Sequence, residues 1–379
     1  MEKMVKSLIC SFGKFLFSLK KSRSYLNNQL RNKKIKKVLI LRSGALGDIL
    51  MTTPLIRLLH DNNYIVDYCV GDSFAVALKG NTNIRKVIPF DYEQIYVKKN
   101  LWKLLKLIFK IRKGKYDIIM VLDKTWQFGI IGFLTGKFRI GFDRYGEGFA
   151  NNLNVKYEQK KHDIKYYLDF ARFLGLKYEE KDYQMDLKIP MPDLEMAMTF
   201  CKGKNIVGIC PGGGKNAGQS LDFKIWDKEN YLKLVKEIVR ENKVKKEKKK
   251  NDENYVVLLG GPTDADICDY ILSNLNDKEK QKVYSFAGKL SIPQTTSIMK
   301  FCKAVVCNDS GPMHMAACVN KKVISIFGPT NPIVLASLHK ESNFIWKETK
   351  SCFDIYGDSS SCKKGMINKV SVGDVLKLI

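Results

Sequence analysis

Two segments, one in each half of the chain, constrain the fold most strongly. Residues 42–54 and 308–317 each follow an apolar strand with a glycine-containing turn and then a helical pattern. Such a turn leaves backbone N–H groups unpaired at a helix N-terminus, where an anion such as a diphosphate can bind. Each also places an acid, Asp48 or Asp309, at the carboxyl end of a strand, where open α/β sheets bind ligands. The pattern predicts two nucleotide-binding-type domains that face each other across a cleft.

The rest of the chain extends this pattern to both halves. At 379 residues the chain is long enough for two domains, each with its own core. Short apolar runs alternate with helical patterns, which indicates parallel, doubly wound sheets in an α/β protein. The predicted strands lie at residues 37–41, 64–70, 116–122, 138–142, 205–210, 255–259, 304–307 and 323–327. Helices are predicted at 48–62, 101–112 and 162–174, the last ending at Gly175.

Two prolines mark the predicted domain boundary. Pro190 and Pro192 stand one residue apart and cannot continue a helix, which favours a linker there. The C-terminal segment closes with a predicted helix and is expected to pack back on the N-terminal domain. The chain thus divides into a basic arm (1–36), an N-terminal domain (37–188), a linker (189–194), a C-terminal domain (195–345) and a C-terminal segment (346–379).

The ten cysteines bear on the compartment. None belongs to a Cys-x-x-Cys pair, and several lie in apolar stretches, as expected for reduced core residues of a cytosolic protein. Cys352 and Cys362 could close a loop or bind a metal, but no histidine lies between them, and unpaired thiols are the favoured interpretation. No apolar run approaches the roughly 20 residues that span a bilayer.

The net charge of +26 is concentrated in two stretches. Residues 1–37 hold 11 Lys and Arg against one acid, and residues 97–116 hold eight with none. Both stretches interleave cations with bulky apolar residues at helical spacing, which is typical of a basic amphipathic helix on an anionic membrane. In the second stretch the lysine stripe consists of Lys99, Lys103, Lys106, Lys110 and Lys113.

These stretches leave alternatives open. The segment 101–112 is equally well explained as an ordinary domain helix with a solvated lysine face. The N-terminal arm favours membrane contact and is not a signal peptide, because Lys14 interrupts its apolar part and no small-residue cleavage site follows. Nucleic acid is another partner for so basic a chain, but no recognition motif is present and none is expected to bind.

Asp48 is the first catalytic candidate. A carboxylate directly after a glycine turn at the mouth of a cleft can take a proton from an acceptor hydroxyl. The alternative is an acid in the first turn of a helix that only offsets the helix dipole.

The second junction supplies candidates for binding a diphosphate. Ser310 and the N–H groups beyond Gly311 can hold phosphate oxygens, Pro312 is tolerated in a first helical turn, and His314 lies one turn further on. A structural histidine explains His314 equally well.

No convincing metal site accompanies these residues, so a lysine is the expected counter-charge. Lys224 is the first candidate and Lys215 the second. The pair Asp264 and Asp266 follows Gly-Gly-Pro at a predicted helix start, which favours capping over metal binding. Neither a metal nor a cofactor is expected.

Taken in order, these segments resemble glycosyltransferase family 9, the bacterial lipopolysaccharide heptosyltransferase family. The resemblance covers about residues 37–379. It departs from the family pattern where Ser310 replaces threonine and where the glycine loop at 212–220 is enlarged, so the sugar pocket could differ and the donor could be ADP-heptose or another activated sugar. The matching positions are Arg42, Gly47, Asp48, Thr53, Pro54, His162, Tyr167, Leu168, Lys224, Trp226, Gly260, Gly261, Pro262, Asp309, Gly311, His314, Ala317 and the run 327–332.

The resemblance implies a two-domain GT-B fold and an inverting, metal-independent transfer. A heptose-like sugar would move from a nucleotide-diphosphate donor, expected to be ADP-heptose, to a lipopolysaccharide-core-type glycolipid. The resemblance makes Asp48 the general base and Lys224 the group that neutralises the donor phosphates, with Asp309 orienting its loop or contacting the donor sugar. Further expected donor contacts are Gly212, Gly213, Asp264 at the ribose, Leu290 at the base, Ser310, Gly311, Pro312, Met313 and His314. Arg42 and Gly47 are expected on the acceptor side.

Two other functions stay open at this point. One is a nucleotide-sugar epimerase of the same architecture. It would need further acids and histidines in the cleft, and the chain has only four histidines. The other is a non-catalytic binder of a nucleotide sugar or glycolipid. The expected location is cytoplasmic, on the inner face of the bacterial inner membrane.

Overall fold

The chain forms two compact units. The computed structural model describes residues 13, 23–32, 34–136, 138–213, 215–216, 219–240, 253–320, 322–353, 359–363 and 365–379. The units are Met1–Tyr183 and Gln184–Ile379. Apart from Gly13, the part of the predicted basic arm before residue 23 lies outside the described residues. Among the residues described, no helix is both long and apolar enough to span a membrane.

The first unit is built on a six-stranded parallel sheet in the order β3-β2-β1-β4-β5-β6. Its strands are β1 Lys37–Leu41, β2 Ile65–Gly71, β3 Lys86–Phe90, β4 Ile118–Val121, β5 Arg139–Asp143 and β6 Leu153–Lys156. Its α-helices are α1 Arg23–Arg31, α2 Leu46–Met51, α3 Thr53–Asp61, α4 Leu101–Lys113, α5 Trp126–Thr135 and α6 Asp163–Arg172. Because β1 and β4 lie inside the sheet and are covered on both faces, their sequences are almost wholly apolar.

The helix predicted at 48–62 is in fact two helices, α2 and α3, that break at Thr52. Pro54 has no N–H to donate to the carbonyl of Leu50, so the regular ladder cannot continue there. The hydroxyl of Thr53 donates to that carbonyl instead, at 2.7 Å. The break thereby leaves Asp48 in the first turn of the short helix α2.

The second unit repeats the architecture with the strand order β11-β10-β7-β12-β13-β14. The strands are β7 Asn205–Cys210, β10 Asn254–Leu258, β11 Val283–Ser285, β12 Ala304–Asn308, β13 Val323–Phe327 and β14 Asn343–Trp346, with a separate antiparallel pair β8 Lys215–Asn216 and β9 Gln219–Ser220. The α-helices are α7 Met191–Cys201, α8 Lys228–Arg240, α9 Ala265–Ser273, α10 Asp277–Lys280, α11 Ile292–Phe301, α12 Gly311–Val319, α13 Pro332–Leu335 and α14 Val372–Leu376. The predicted α/β class with parallel, doubly wound sheets is confirmed.

The structure places the boundary between the units before the predicted linker. The division falls between Tyr183 and Gln184, whereas the segment 189–194 runs into the first turn of α7. Pro192 does not prevent this helix, because a proline in the first turn needs no intrahelical N–H partner.

The C-terminal segment packs within the second unit, and its expected packing on the N-terminal domain stays a prediction. Val370 and Val375 are buried in the core that also contains Trp226 of the same unit. The indole N–H of Trp226 donates to the carbonyl of Val370 at 3.0 Å. These contacts arise because helix α14 packs on α8.

The cysteine expectation is wrong at one pair. Cys352 and Cys362 form a disulfide, ten residues apart in the sequence. The other described cysteines are free thiols, as predicted. Sequence spacing alone could not decide this pairing, because it depends on how the intervening loop folds back.

Candidate active site

In the first unit, the junction after β1 holds a buried arginine between two carboxylates. Arg42 Nη1 lies 2.9 Å from Asp123 Oδ1, and Arg42 Nη2 lies 2.5 Å from Asp48 Oδ2. Arg42 and Asp123 follow the neighbouring strands β1 and β4, so the parallel sheet brings their side chains to the same edge. Asp48 is the most exposed group of the three, with 27% of its side chain accessible against 9% for Arg42.

Burial and hydrogen bonding fix the inner end of this cluster. The backbone N–H and the hydroxyl of Ser43 both donate to Asp123, at 2.8 and 2.9 Å. Burial raises the pKa of Asp123, although Arg42 and Ser43 act in the opposite direction. Burial by itself would lower the pKa of Arg42, but Asp48 and Asp123 hold it well above its ordinary value. Arg42 is therefore a permanent cation that orients the carboxylate of Asp48.

A second buried ion pair lies beside the first. Lys124 Nζ donates to Asp163 Oδ2 at 2.6 Å and to the hydroxyl of Tyr157 at 2.9 Å. The hydroxyl of Tyr157 in turn donates to Asp163 Oδ1 at 3.0 Å. The hydroxyl of Tyr167 is buried without a hydrogen-bond partner among the described residues. Burial raises the pKa of Tyr167 well above its ordinary value, so this hydroxyl stays protonated.

In the second unit, the junction after β12 holds a buried carboxylate against a lysine. Lys224 Nζ lies 2.8 Å from Asp309 Oδ2, and the hydroxyl of Thr330 donates to the same oxygen at 2.6 Å. Burial alone would raise the pKa of Asp309, but the Lys224 ammonium and the two hydrogen bonds hold it below its ordinary value. Lys224 is the more accessible member, with 15% of its side chain exposed against 6% for Asp309.

Asn308, the last residue of β12, ties the surrounding loops together. Its side-chain N–H groups donate to the carbonyls of Pro211 and Gly212, both at 3.0 Å. Its side-chain oxygen accepts from the hydroxyl of Tyr231 at 2.8 Å and from the backbone N–H of Trp226 at 3.2 Å. A single fully buried amide thus fixes the glycine loop and the segment that carries Lys224.

The glycines of the loop are required by close packing. Gly213 has a φ of +102°, and a Cβ there would collide with the side chain of Ser310. A Cβ on Gly212 would collide with the carboxyl group of Asp264. That carboxylate accepts from the backbone N–H groups of Gly213, at 3.1 Å, and of Gly261, at 2.8 Å. Asp264 therefore holds two turns together, in line with the capping alternative, and its contact with a ribose stays a prediction.

Helix α12 begins at Gly311, two residues after Asp309. Ser310 precedes the first turn in an extended conformation, and its hydroxyl donates to the carbonyl of Asn308 at 3.3 Å. Gly311 and Pro312 form the first turn, whereas Met313 and His314 are buried. The predicted phosphate-binding turn thus lies directly beside the pair formed by Lys224 and Asp309.

Leu290 lies on another wall of the second unit. It lines an apolar cavity of about 550 Å³ together with Met196, Phe200, Phe286 and Ile298. Neither Lys224 nor Asp309 lines this cavity. Gly288, two residues before Leu290, packs against Pro262 of the turn that Asp264 holds. The side chain of Lys215, the second lysine candidate, lies outside the described residues.

Three of the side chains that organise these sites were given no role from the sequence: Asp123, and also Asn308 and Thr330, although these two lie in the segments 308–317 and 327–332 identified there. Asp123 comes directly after an apolar strand, the same signal that identified Asp309, and could have been found from it. Arg42 was predicted on the acceptor side, whereas the structure engages its guanidinium with two carboxylates. Gly47 is buried in helix α2 beside Asp48. The roles of these residues in binding stay predictions.

The chain is similar to known proteins over most of its length. The family model described as glycosyltransferase family 9 (heptosyltransferase) matches residues 104–362. The chain is 24% identical over 312 residues to lipopolysaccharide heptosyltransferase 2 of Escherichia coli K12, covering 78% of this chain and 84% of that protein. It is 24% identical over 334 residues to lipooligosaccharide heptosyltransferase 2 of Haemophilus ducreyi, covering 82% of this chain and 88% of that protein.

Solved structures agree on the fold. The glycosyltransferase family 9 protein of Veillonella parvula aligns with a TM-score of 0.73 at 18% identity, covering 90% of this chain and 96% of that one. The Escherichia coli ADP-heptose heptosyltransferase II aligns with a TM-score of 0.69 at 21% identity, covering 91% and 97%. These likenesses confirm the two-domain GT-B fold.

Proposed function

The chain belongs to glycosyltransferase family 9, the heptosyltransferase family, and we propose that it transfers a heptose-like sugar from a nucleotide-diphosphate donor to a lipopolysaccharide-core-type glycolipid. The chain spans most of the length of curated relatives named as lipopolysaccharide and lipooligosaccharide heptosyltransferases, which supports both the donor class and the acceptor class. ADP-heptose is the donor that we propose.

The observation that carries the mechanism is the carboxylate of Asp48, which is partly exposed and held by the buried guanidinium of Arg42. In a single displacement, the acceptor hydroxyl oxygen forms a bond to the anomeric carbon while the bond from that carbon to the diphosphate oxygen breaks. The proton of the hydroxyl passes to Asp48, and the electron pair of the broken bond leaves with the nucleoside diphosphate. The configuration at the anomeric carbon is inverted.

The leaving group needs positive charge, and Lys224 is the residue we assign to it. Its ammonium carries three N–H donors, of which Asp309 occupies one, so it can also contact a phosphate oxygen. The start of helix α12 lies beside the pair and adds backbone N–H groups and the positive end of the helix dipole. This arrangement supports transfer without a metal ion.

We also propose that the enzyme works at the cytoplasmic face of the inner membrane as a peripheral protein. A net charge of +26 favours an anionic, phosphorylated glycolipid acceptor and the anionic bilayer around it.

The test measures ADP release from ADP-heptose with a heptose-deficient lipid A–Kdo acceptor in the presence of EDTA. We expect acceptor-dependent ADP release by the wild type and a loss of about 10²–10⁴-fold in Asp48→Asn. The Asp61→Asn variant, which changes an exposed acid at the end of the adjacent helix α3, serves as the matched control.

The outcomes separate the alternatives. Conversion of the donor sugar without acceptor would indicate an epimerase, and donor binding without any turnover would indicate a non-catalytic binder. ADP release that survives Asp48→Asn would exclude Asp48 as the base, and loss of release in EDTA would exclude metal independence.

A further inference from the structure

Helix α4 carries large apolar side chains on its solvent side as well as on its core side. The core side is formed by Leu107, Ile108 and Ile111, which are buried. On the other side, Trp102 is 76% exposed and Phe109 is 61% exposed. A surface helix normally places polar side chains there, so two exposed aromatic rings on one helix need an explanation.

The two rings lie within the lysine stripe. Positions 102, 106, 109 and 113 are separated by three or four residues and therefore share one helix face. This face presents Trp102, Lys106, Phe109 and Lys113 in succession, with Lys110 at its border. We call these five residues the outer face of α4. The pattern is one of aromatic rings set between ammonium groups.

Most of the positive charge on this face is not neutralised. Lys103 pairs with Asp91 at 2.7 Å, and Lys98 pairs with Glu93 at 3.0 Å, both at the N-terminal end of the helix. In the described parts of the chain, the exposed residues Lys106, Lys110 and Lys113 form no ion pair. The surface therefore complements a dense array of negative charge.

The surface continues beyond the end of the helix. Phe133 and Leu134, at the end of helix α5, are exposed apolar residues. They line a cavity of about 740 Å³ together with Arg112 and Lys115, which extend the cationic stripe. Exposed apolar and cationic side chains thus also lie beside the C-terminal end of α4.

We propose that the outer face of α4 docks the first unit on an anionic lipid bilayer. The rings of Trp102 and Phe109 enter the headgroup region, and the lysine ammonium groups contact lipid phosphates. A bilayer fits better than a protein partner, because protein interfaces are depleted in lysine whereas basic amphipathic helices bind anionic membranes. The proposal rests on the membrane association proposed above and names the surface responsible for it.

The first experiment uses the position of a single indole. The chain has four tryptophans. Besides Trp102, Trp226 is fully buried, and Trp126 and Trp346 are half-buried. Anionic vesicles with brominated acyl chains should quench the fluorescence of the wild type but not that of Trp102→Phe. The basic arm before residue 23 contains no tryptophan and cannot produce this signal. Equal quenching of both proteins, or none with the wild type, would overturn the proposal.

The second experiment compares variants in vesicle co-sedimentation. Trp102→Ser with Phe109→Ser should weaken binding to phosphatidylglycerol vesicles by about tenfold or more. The matched control is Met191→Ser with Met198→Ser, which changes two exposed apolar residues on helix α7, a helix without lysine. An equal loss in both double variants would contradict a site on α4.

The charge contribution has its own control. Replacement of Lys106, Lys110 and Lys113 by Glu should abolish the binding, and wild-type binding should weaken as salt increases. Replacement of the exposed residues Lys278, Lys280 and Lys300 by Glu changes the net charge equally but lies in the second unit. Equal effects of the two triple variants would show that only net charge matters and would overturn the proposal. Replacement of Trp102 and Phe109 that lowers the oligomeric state without changing vesicle binding would also overturn the proposal.

Glycosyl transfer separates this inference from the proposed function. The aromatic double variant should retain turnover on a deacylated, water-soluble acceptor and lose about tenfold on an acceptor embedded in vesicles. Absence of turnover on both acceptors in the wild type, with normal quenching of Trp102, would contradict the proposed function and support the docking surface. An unchanged rate on the embedded acceptor would contradict the docking surface alone.

Discussion

The junctions after β1 and β12 use the same local architecture with opposite polarity. After β1, the buried carboxylate of Asp123 anchors Arg42, which in turn holds the more exposed Asp48. After β12, the buried carboxylate of Asp309 anchors Lys224, which is itself the more exposed group. One extra charged residue thus reverses the sign of the group presented to solvent. A carboxylate is suited to accept a proton and an ammonium to bind a phosphate, so each unit presents the charge that its proposed role requires.

The largest expected effect tests Asp48, the more exposed carboxylate of the first unit. Asp48→Asn should lower kcat by about 10²–10⁴-fold, because the amide cannot accept the proton from the acceptor hydroxyl. The donor KM should change little, since the donor is assigned to the second unit. Steady-state kinetics with varied donor at saturating acceptor measure both values. A rise in donor KM with unchanged kcat would assign Asp48 to binding instead.

The second effect tests the ammonium group of Lys224, the more exposed member of its ion pair. Lys224→Ala should weaken donor binding by about 10–100-fold, in line with the loss of a hydrogen bond to a charged group. Calorimetric titration with ADP measures the affinity, and Lys224→Arg, which keeps the charge, should recover part of it. Thermal unfolding of the same variants controls for damage to the buried Asp309. Equal affinities of Lys224→Ala and the wild type for ADP would contradict the assignment.

The third effect separates the two anchoring carboxylates by pH. The pKa of Asp309 is lowered in the folded chain, so its contribution to stability is present at higher pH and is lost as the pH falls below about 3.9. The pKa of Asp123 is raised by burial, so the folded state binds its proton more readily, and stability decreases as the pH rises through the region just above about 3.9.

Urea unfolding between pH 3 and 6 measures this difference. Asp309→Asn should remove a dependence that rises with pH, and Asp123→Asn should remove one that falls with pH. If both variants change the pH dependence of the unfolding free energy in the same direction, Asp123 and Asp309 are electrostatically equivalent and do not differ in the way described here.

The smallest expected effect concerns the second ion pair of the first unit. Tyr157→Phe should lower the free energy of unfolding by about 1.5–3 kcal/mol, because Lys124 and Asp163 each lose a hydrogen-bond partner. Tyr167→Phe should change it by less than about 0.5 kcal/mol, since its hydroxyl has no partner among the described residues. Chemical denaturation measures both, and a large loss in Tyr167→Phe would indicate a bound water at that hydroxyl.

In the two six-stranded sheets, the strands that were not predicted share one position; the short pair β8 and β9 was not predicted either. The predicted strands include β1, β2, β4 and β5 in the first unit and β7, β10, β12 and β13 in the second. The missed strands β3, β6, β11 and β14 are the edge strands of the two sheets. Edge strands are covered less completely and tolerate polar residues and proline, as in Lys86–Phe90 with Pro89. Pro89 interrupts β3 and Asn154 interrupts β6, whereas β11 and β14 are only three and four residues long.

The candidate site was predictable only in part, for a similar reason. Asp48, Asp309 and the helix start at Ser310 follow from a local pattern of strand, turn and helix. The partners that orient them come from distant parts of the chain, as Asp123 does for Arg42 and Thr330 does for Asp309. No local sequence pattern predicts which of the polar residues that follow the strands will contact each other.

The sequence by itself determined the α/β class, the two junctions and the family, because apolar periodicity and glycine turns act over a few neighbouring residues. Only the tertiary structure decided that Arg42 serves Asp48, that Lys224 meets Asp309, and that Trp102 and Phe109 face away from the core. These features depend on which strand ends share a sheet edge and which side of a helix meets the sheet. They are set by packing between segments that lie far apart in the chain. Such packing cannot be read from neighbouring residues and becomes visible only in the complete fold.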